Sequence, residues 1–420
     1  MTDIWPPIRR IHLAGLAIVF IVGIFLRLPW GLFVPGAPLH FAASLHPQAA
    51  FKGAGFDEVL YRTYVEALSN GGIASYPDMV EGYIGAQQKR EGALLPPLRF
   101  LYVFTAHVWN TAFGCGAGEA LRQVSACFSM LTLGLTTIFA WRLRGASWAL
   151  GTAALMAVAP TQLHMSQHGL IDGFFAFWAL LCLWLLWETL NSPGDRRWLL
   201  AYALAVALLV ITKENSFFAC VALVALILVN RWLRFGTVTL DLVLTAVAGP
   251  MLGVVILVFL SGGLGNFITT YQLLVGKASQ MSYAISTGDG PWHRYLVDLL
   301  LVSPVVLVLA IGGIFRLDGK KKPELFLSIF VATSYLLMCN VKYGMNLRYA
   351  NMWDMPLRFL AFGTLVLLTA PLRRYRNAVL VAAVAAICAI ELRQYVTLAV
   401  QYPLYELVPE DLLRALHILK

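Results

Sequence analysis

Residues 96–113 read PPLRFLYVFTAHVWNTAF, and whether this stretch crosses a membrane decides how the rest of the chain is threaded. It is apolar and long enough to cross, yet it carries Arg99, His107 and Asn110. Elsewhere the chain leaves little choice. Of its 420 residues 59% are hydrophobic and 13% charged, and its mean hydropathy is +0.73, which is more apolar surface than a soluble core can hide. Cut into runs of about 18–25 residues, the length that spans roughly 30 Å of hydrocarbon, the sequence offers about eleven spans besides this stretch. They lie near 11–33, 120–141, 147–165, 172–190, 198–212, 216–232, 238–261, 296–315, 324–341, 353–371 and 378–392.

Charge settles the threading. If 96–113 stays out of the membrane, six short basic clusters fall on the side of the N-terminus: Arg9 and Arg10, Arg142 and Arg144, Arg196 and Arg197, Arg231 and Arg234, Arg316 with Lys320, Lys321 and Lys322, and Arg373, Arg374 and Arg376. They hold 15 of the 31 Lys and Arg, as the excess of cytoplasmic positive charge requires. If 96–113 crosses, Arg9 and Arg10 oppose the other five. The stretch is therefore expected to be an amphipathic helix lying in the interface, started by Pro96-Pro97. Residues 34–119 then form one long extracytoplasmic loop, with further outer segments near 164–172, 213–215, 262–295 and 342–352. The expected architecture is an all-α polytopic membrane protein, a single membrane domain over 1–420 with interfacial helices in the first outer loop and no separate soluble domain. The first run, followed by Arg27 and Pro29, reads as a signal anchor.

The net charge of +9 fits topology and anionic headgroups, with no nucleic acid required. The six cysteines form neither a disulfide framework nor a zinc spacing. The Gly-rich piece at 261–265 reads as a span end with a turn, and no internal repeat is visible. Trp109, Trp292 and Trp353 near outer span ends fit an interfacial belt.

Two acidic signals stand out in the outer segments. In FDEVLYRTYVEAL (56–68) the adjacent Asp57 and Glu58 open a helix, a placement the helix dipole favours by itself. In HMSQHGLIDGFFAFW (164–178) Asp172 stands at the outer start of a span, where N-capping is the plain alternative. A carboxylate at a lipid boundary is costly, however, and topology puts all three acids on one side. Lys213 in ITKENSFF (211–218) and Arg348-Tyr349 in NLRYANMWDMP (346–356) end spans on that same side. His164, His168 and Asp172 sit at i, i+4 and i+8, a metal-binding face if the helix runs on, but Gly169 is placed to break it. His164 and His168 then line a polar cavity; no cofactor is required, and a divalent cation is left open.

The acidic pair in a long first outer loop, the Pro96-Pro97-Leu98 start of an interfacial helix, and the H-x-x-x-H-G-x-x-D-G run at 164–173 together resemble the GT-C glycosyltransferase superfamily. Within it the pattern is similar to the protein O-mannosyltransferases and bacterial aminoarabinose transferases, over about residues 10–360. The resemblance implies a GT-C fold and transfer of a sugar from a polyprenyl-phosphate donor to an acceptor hydroxyl on a glycan, lipid or protein. It places the enzyme in a bacterial inner membrane with its site outside. It assigns the general base to Asp57, with Glu58 and Asp172 orienting base or acceptor, and gives Lys213, Arg348 and Tyr349 to the carrier phosphate. Arg62 either neutralises the acidic pair one turn back or touches substrate. Tyr271, Lys277 and Arg294 are weaker candidates, with headgroup contact as their alternative. The chain departs from some relatives in ending without a large soluble domain, which leaves the acceptor open. A transporter or flippase would show a similar number of spans, but tends to place its charges near the midplane in paired segments. A scaffold gives no reason for acids and cations to converge.

Overall fold

A computed structural model describes residues 9–51, 53–280, 288–342, 344–402, 406–408 and 410–417, and all regular structure among them is helical. In chain order the helices are α1 (Arg10–Arg27), α2 (Phe56–Gly71), α3 (Tyr76–Lys89), α4 (Phe100–Phe113), α5 (Ala117–Arg144), α6 (Ala146–Ala157), α7 (Pro160–Gln167), α8 (Ile171–Asn191), α9 (Arg196–Val210), α10 (Ser216–Leu233), α11 (Leu240–Leu260) and α12 (Leu264–Ala278). They continue with α13 (Arg294–Val302), α14 (Pro304–Ile314), α15 (Lys322–Met338), α16 (Asp354–Thr369), α17 (Arg376–Tyr395) and a short α18 (Glu410–Ala415). Helices α1, α5, α8, α10 and α11, and the 347–401 region that contains α16 and α17, are long and apolar enough to cross a membrane.

Two expected spans are broken, each at a proline. The 147–165 run divides into α6 and α7 before Pro160, and the 296–315 run into α13 and α14 before Pro304, because proline brings no N–H to an incoming helix. The first break frees carbonyls at depth, and Arg27 takes them. Its guanidinium, fully buried, donates to Met156 O (2.8 Å), Ala157 O (2.6 Å) and Gly23 O (2.9 Å), and its Nε to Ser129 Oγ (2.9 Å). A cation at the end of α6 satisfies both its orphan carbonyls and its dipole.

Close helix contact in the bundle uses small residues, since apolar area alone does not distinguish a helix partner from lipid. On α11 a Cβ at Gly249 would lie 3.0 Å from Ala203 O, and one at Gly253 2.8 Å from Ala207 O, so this Gly-x-x-x-Gly face lies against the backbone of α9. At the end of the bundle that carries the basic clusters, Arg142 is held by Glu188 (2.6 Å) and Arg144 by Glu324 (2.6 Å).

The segment read as the first outer loop folds as a cap with its own core. Tyr61, Val65 and Leu68 of α2, Tyr76 and Val80 of α3 and Val103 of α4 pack on Leu121, Ile171 and Leu257 at the adjoining ends of α5, α8 and α11. Helix α4 spans 14 residues, about 21 Å at 1.5 Å per residue, too short for the hydrocarbon core. Its Tyr102 hydroxyl meets Ser125 Oγ (2.9 Å), and seven residues on Trp109 Nε1 donates to Gln123 (2.7 Å). Both partners lie within one turn of α5, so α4 runs across α5. Its start is four residues later than Pro96. The hydroxyls of Tyr83, Tyr64 and Tyr76 claim the carbonyls of Leu94, Leu95 and Pro97, which holds that segment out of the helix. Helix α12, in the outer segment read as 262–295, was not expected; residues 281–287 of that segment lie outside the described residues.

Candidate active site

Asp57 is the second residue of α2 and Glu58 the third, and these two positions lead to different fates. Glu58 turns back on its own helix: Oε2 accepts the Gly55 N–H at 2.7 Å, as the third residue of a capping box does. Its other oxygen accepts the Gly169 N–H at 2.6 Å. Both oxygens are thus spent on backbone, and the carboxylate becomes a strut between the cap and the turn linking α7 to α8. The glycine is needed there, since a Cβ at 169 would press to 3.2 Å from Glu58 Oε1. Burial raises the Glu58 carboxyl above its ordinary value, partly offset by the two N–H donors.

Asp57 turns instead toward Arg348. Its side chain is 20% exposed, and Oδ2 lies 3.1 Å from Arg348 Nη1. The same Nη1 lies 4.0 Å from Oδ2 of Asp172, which is only 4% exposed, and Asp172 Oδ1 accepts from Lys213 Nζ at 2.5 Å. Arg348 Nε lies 3.3 Å from Glu406 Oε1. Lys213 Nζ also stands 3.9 Å from the centroid of the Tyr349 ring, a cation–π contact. The turns that set these groups are local. Asn346 Oδ1 caps the Arg348 N–H (2.9 Å), and Ser216 N–H closes on Lys213 O (2.9 Å). Burial draws the Lys213 ammonium below the ordinary lysine value, against the pull of Asp172. Acids and cations from five distant segments therefore alternate in one array, of which Asp57 is the most exposed member.

Beside it stands a pair that the sequence reading did not assign. Arg99, buried before α4, bonds Glu214 through two nitrogens and the Tyr61 hydroxyl through a third. Each residue is noticeable by itself, an arginine two residues after Pro-Pro and an acid next to Lys213, but nothing local pairs them.

Other expectations are corrected. Asp172 does not cap α8, whose N-cap is Leu170 with no side-chain cap, so its carboxylate is left for Lys213. The helix does break at 168–170, which removes the continuous His164–His168–Asp172 face. The two imidazoles are buried with ring centroids 4.7 Å apart, His168 Nδ1 lies 3.9 Å from Glu58, and burial draws His168 down to about 4. Among the described residues no group of three or more His, Cys, Asp or Glu is arranged to hold a metal. Arg62 reaches forward to Glu66 (3.6 Å) on an exposed face, because Glu58 is already engaged. Lys277 binds the carbonyls of Gln87 (with Gln88) and Arg90 (2.5 Å) and ties α12 to the end of α3. Tyr271 packs on Phe267 in the core of the cap. Arg294 is buried, 3.6 Å from Asp298, and shares a small cavity with Arg348 and Glu406. Trp353 is buried, donating to Ser334 Oγ (2.7 Å), and so does not belong to an interfacial belt, whereas Trp292 is exposed.

Comparison with known proteins follows the same lines. The family model described as dolichyl-phosphate-mannose-protein mannosyltransferase matches residues 94–269. Over 92% of this chain the fold superposes on ArnT from Cupriavidus metallidurans in the apo state, at 15% identity with a TM-score of 0.51, covering 70% of that chain. It does so again on ArnT bound to undecaprenyl phosphate, at 14% identity and a TM-score of 0.55, over 92% of this chain and 71% of that one. This is the GT-C fold. The oligosaccharyltransferase of Archaeoglobus fulgidus shares it at 15% identity with a TM-score of 0.57, and this chain, covered to 93%, spans 56% of that enzyme's length. No curated protein matches the sequence. The matched family segment contains Pro96-Pro97-Leu98, the 164–173 run and Lys213, whereas Asp57 and Arg348 lie outside it and pair with each other beside Asp172.

Proposed function

We propose that this chain is a membrane glycosyltransferase of the GT-C type that moves a sugar from a polyprenyl-phosphate donor to an acceptor hydroxyl, with inversion, and that Asp57 is the general base. The observation that carries this reading is the Asp57–Arg348–Asp172–Lys213 array, in which one partly exposed carboxylate adjoins buried Arg348, and buried Asp172 links that arginine to Lys213. Asp57 would take the acceptor's proton while its oxygen attacks the anomeric carbon on the face away from phosphate. Charge growing on the departing phosphate would be met by Lys213 and Arg348, which must loosen from Asp172 and Asp57 to receive it. Asp172 and Glu58 act as positioning residues in this scheme, and Tyr349 sets the Lys213 ammonium.

The neighbours agree with the donor class: ArnT was solved with undecaprenyl phosphate, and AglB of Archaeoglobus fulgidus with an inhibitory peptide and a dolichol-phosphate. Within this reading the chain is one multi-pass domain of about eleven spans in a bacterial inner membrane, α2 to α4 lie at the outer interface, and the cleft faces the extracytoplasmic side, as the basic clusters favour. The acceptor is a glycan, lipid or protein hydroxyl. The test is reconstitution of the purified protein with a labelled polyprenyl-phosphate sugar and candidate acceptors, with product and donor binding followed separately. A new glycosidic bond is expected; movement of the sugar lipid across the bilayer with no such bond would overturn the reading in favour of a transporter.

A further inference from the structure

At the end of the bundle opposite the acid cleft, a cavity of about 350 Å³ opens between the ends of α5, α14 and α16 and the loop before α15. Helix α16 shows the separation. Asp354 begins it beside Arg348's turn, whereas Leu360, Thr364 and Leu367 of the cavity follow along the same helix, up to about 20 Å further on. This is also the end that carries the basic clusters, the cytoplasmic one by the charge rule.

The cavity is amphipathic. Trp148, Leu360 and Leu367 form its walls, and Arg144, Lys320 and Lys321 stand at its mouth. Two glycines let its walls pack closely: a Cβ at Gly363 would lie 2.9 Å from the Trp148 ring, and one at Gly313 2.7 Å from Thr364 Oγ1. Asp318 Oδ1 takes the backbone N–H groups of Lys320 (2.9 Å) and Lys321 (3.2 Å), which folds the basic turn over the opening. Arg144 lies over Trp148 and is held by Glu324, and Lys321 Nζ donates to Arg316 O at 2.8 Å. The Lys320 side chain is exposed. The lining thus sets three cations against Asp318 and Glu324, an excess of one positive charge.

A basic mouth over apolar walls, at a membrane boundary and between spanning helices, is complementary to a lipid with an anionic head. We propose that this cavity binds an anionic glycerophospholipid, with its phosphodiester at Lys320 and Lys321 and the start of an acyl chain against Trp148, Leu360 and Leu367. A phosphodiester carries one negative charge and matches the excess; a polyprenyl phosphomonoester carries more, and a free phosphate has no use for the apolar walls.

The experiment uses the full chain in phosphatidylcholine nanodiscs titrated with phosphatidylglycerol, with retained lipid counted by native mass spectrometry. One phosphatidylglycerol per chain should be retained in preference to phosphatidylcholine. The double variant K320Q/K321Q should weaken retention roughly tenfold to thirtyfold, at about fivefold per juxtamembrane lysine. K320R/K321R should restore it. L367W, which fills the cavity without changing charge, should exclude the lipid, and the lysine pair tests the same point should that variant misfold. Equal retention of the two lipids, or retention unchanged in K320Q/K321Q, would overturn the site. Displacement by polyprenyl phosphate at equal concentration, or by millimolar inorganic phosphate, would overturn its assignment to a glycerophospholipid.

Discussion

Among the guanidinium–carboxylate groups of this molecule, the Arg358 and Arg348 clusters differ in one respect that separates structure from chemistry. In the first, Arg358 (1% exposed) is bound by Asp354 at 2.7 Å and Glu391 at 2.8 Å, and the acids are in turn bound by Thr161, Gln162 and Ser303. It is sealed. In the second, Arg348 and Lys213 are also buried, but Asp57 keeps 20% of its side chain exposed. The sealed cluster joins α7, α13, α16 and α17 across a medium in which unpaired polar groups are costly. The open one offers its proposed base to solvent.

The largest expected effect comes from removing that base. Asp57→Asn keeps the shape and loses the ability to accept a proton, so transfer should fall about 100-fold to 10,000-fold, while donor binding and thermal unfolding stay near wild type. Turnover near normal would strike Asp57 from the mechanism and erase the contrast. Arg358→Leu should do the reverse. It strands Asp354 and Glu391 in the bundle, and breaking a buried pair typically costs about 3–5 kcal/mol, read as a lowered melting temperature in detergent with turnover per folded molecule unchanged. A selective loss of turnover would show that the sealed cluster takes part in the reaction.

His168, under the strut of Glu58, tests the boundary between the two kinds of cluster. Its folded value near 4 lies below the ordinary 6.5 because burial disfavours the cation, with Arg348 and Arg122 adding to the effect. Between those values the unfolded chain holds a proton that the folded chain lacks. Stability is therefore full above pH 6.5 and declines as pH falls toward 4, by on the order of 3 kcal/mol. Glu58, raised by burial, has the opposite sign: its contribution is present below the ordinary carboxylate value and is lost as pH rises through its folded value. Since Glu58 is common to both proteins, the difference in melting temperature between wild type and His168→Gln across pH 4–7 isolates the histidine. Parallel curves would place His168 in contact with solvent.

How much of this was legible depends on whether a residue's role is set by sidedness or by depth. Asp57, Asp172, Lys213 and Arg348 could be grouped from span order and charge counting, because Asp57 falls in the long loop and the other three at span ends assigned to the same face. Glu58 and Arg62 could not be separated from Asp57 by such reasoning, since the strut to Gly169 joins residues 111 apart in sequence. The sealed cluster left a trace that was passed over: Arg358 and Glu391 stand inside otherwise apolar runs, which in a membrane chain calls for partners. Arg27 reads as a span end and acts as a cap on α6, a role that exists only once Pro160 has broken the helix. The Arg99–Glu214 pair has the same character, 115 residues apart and invisible to local pattern.

Within the open cluster, the cations should matter to the carrier as well as to the fold, since Lys213 and Asp172 also form a buried pair. Lys213→Ala and Arg348→Ala are each expected to weaken polyprenyl-phosphate binding by roughly 1.5–3 kcal/mol, the scale of a charge-assisted hydrogen bond, measured by titration of the unlabelled carrier. Losses smaller than this in both variants would move the phosphate elsewhere and leave the array as a second structural cluster.

The smallest effect concerns Glu406, whose carboxylate lies 3.3 Å from Arg348 Nε. Arg348 thus meets acids at both edges, Asp57 and Asp172 at Nη1 and Glu406 at Nε. A donor phosphate that binds this guanidinium has to compete with Glu406 for the second edge, because a planar guanidinium binds an oxyanion best through two parallel donors. Removing the competing charge with its shape retained should therefore help the carrier. Glu406→Gln is expected to tighten polyprenyl-phosphate binding by about threefold to tenfold, the scale of a partly exposed ion pair, with less change in the rate of the bound complex. The double variant Glu406→Gln with Arg348→Ala should show no such gain, since the edge being freed is gone. If Glu406→Gln instead weakens binding as Arg348→Ala does, Glu406 holds Arg348 in place for the phosphate, and the open cluster is stiffer than its exposed edge suggests.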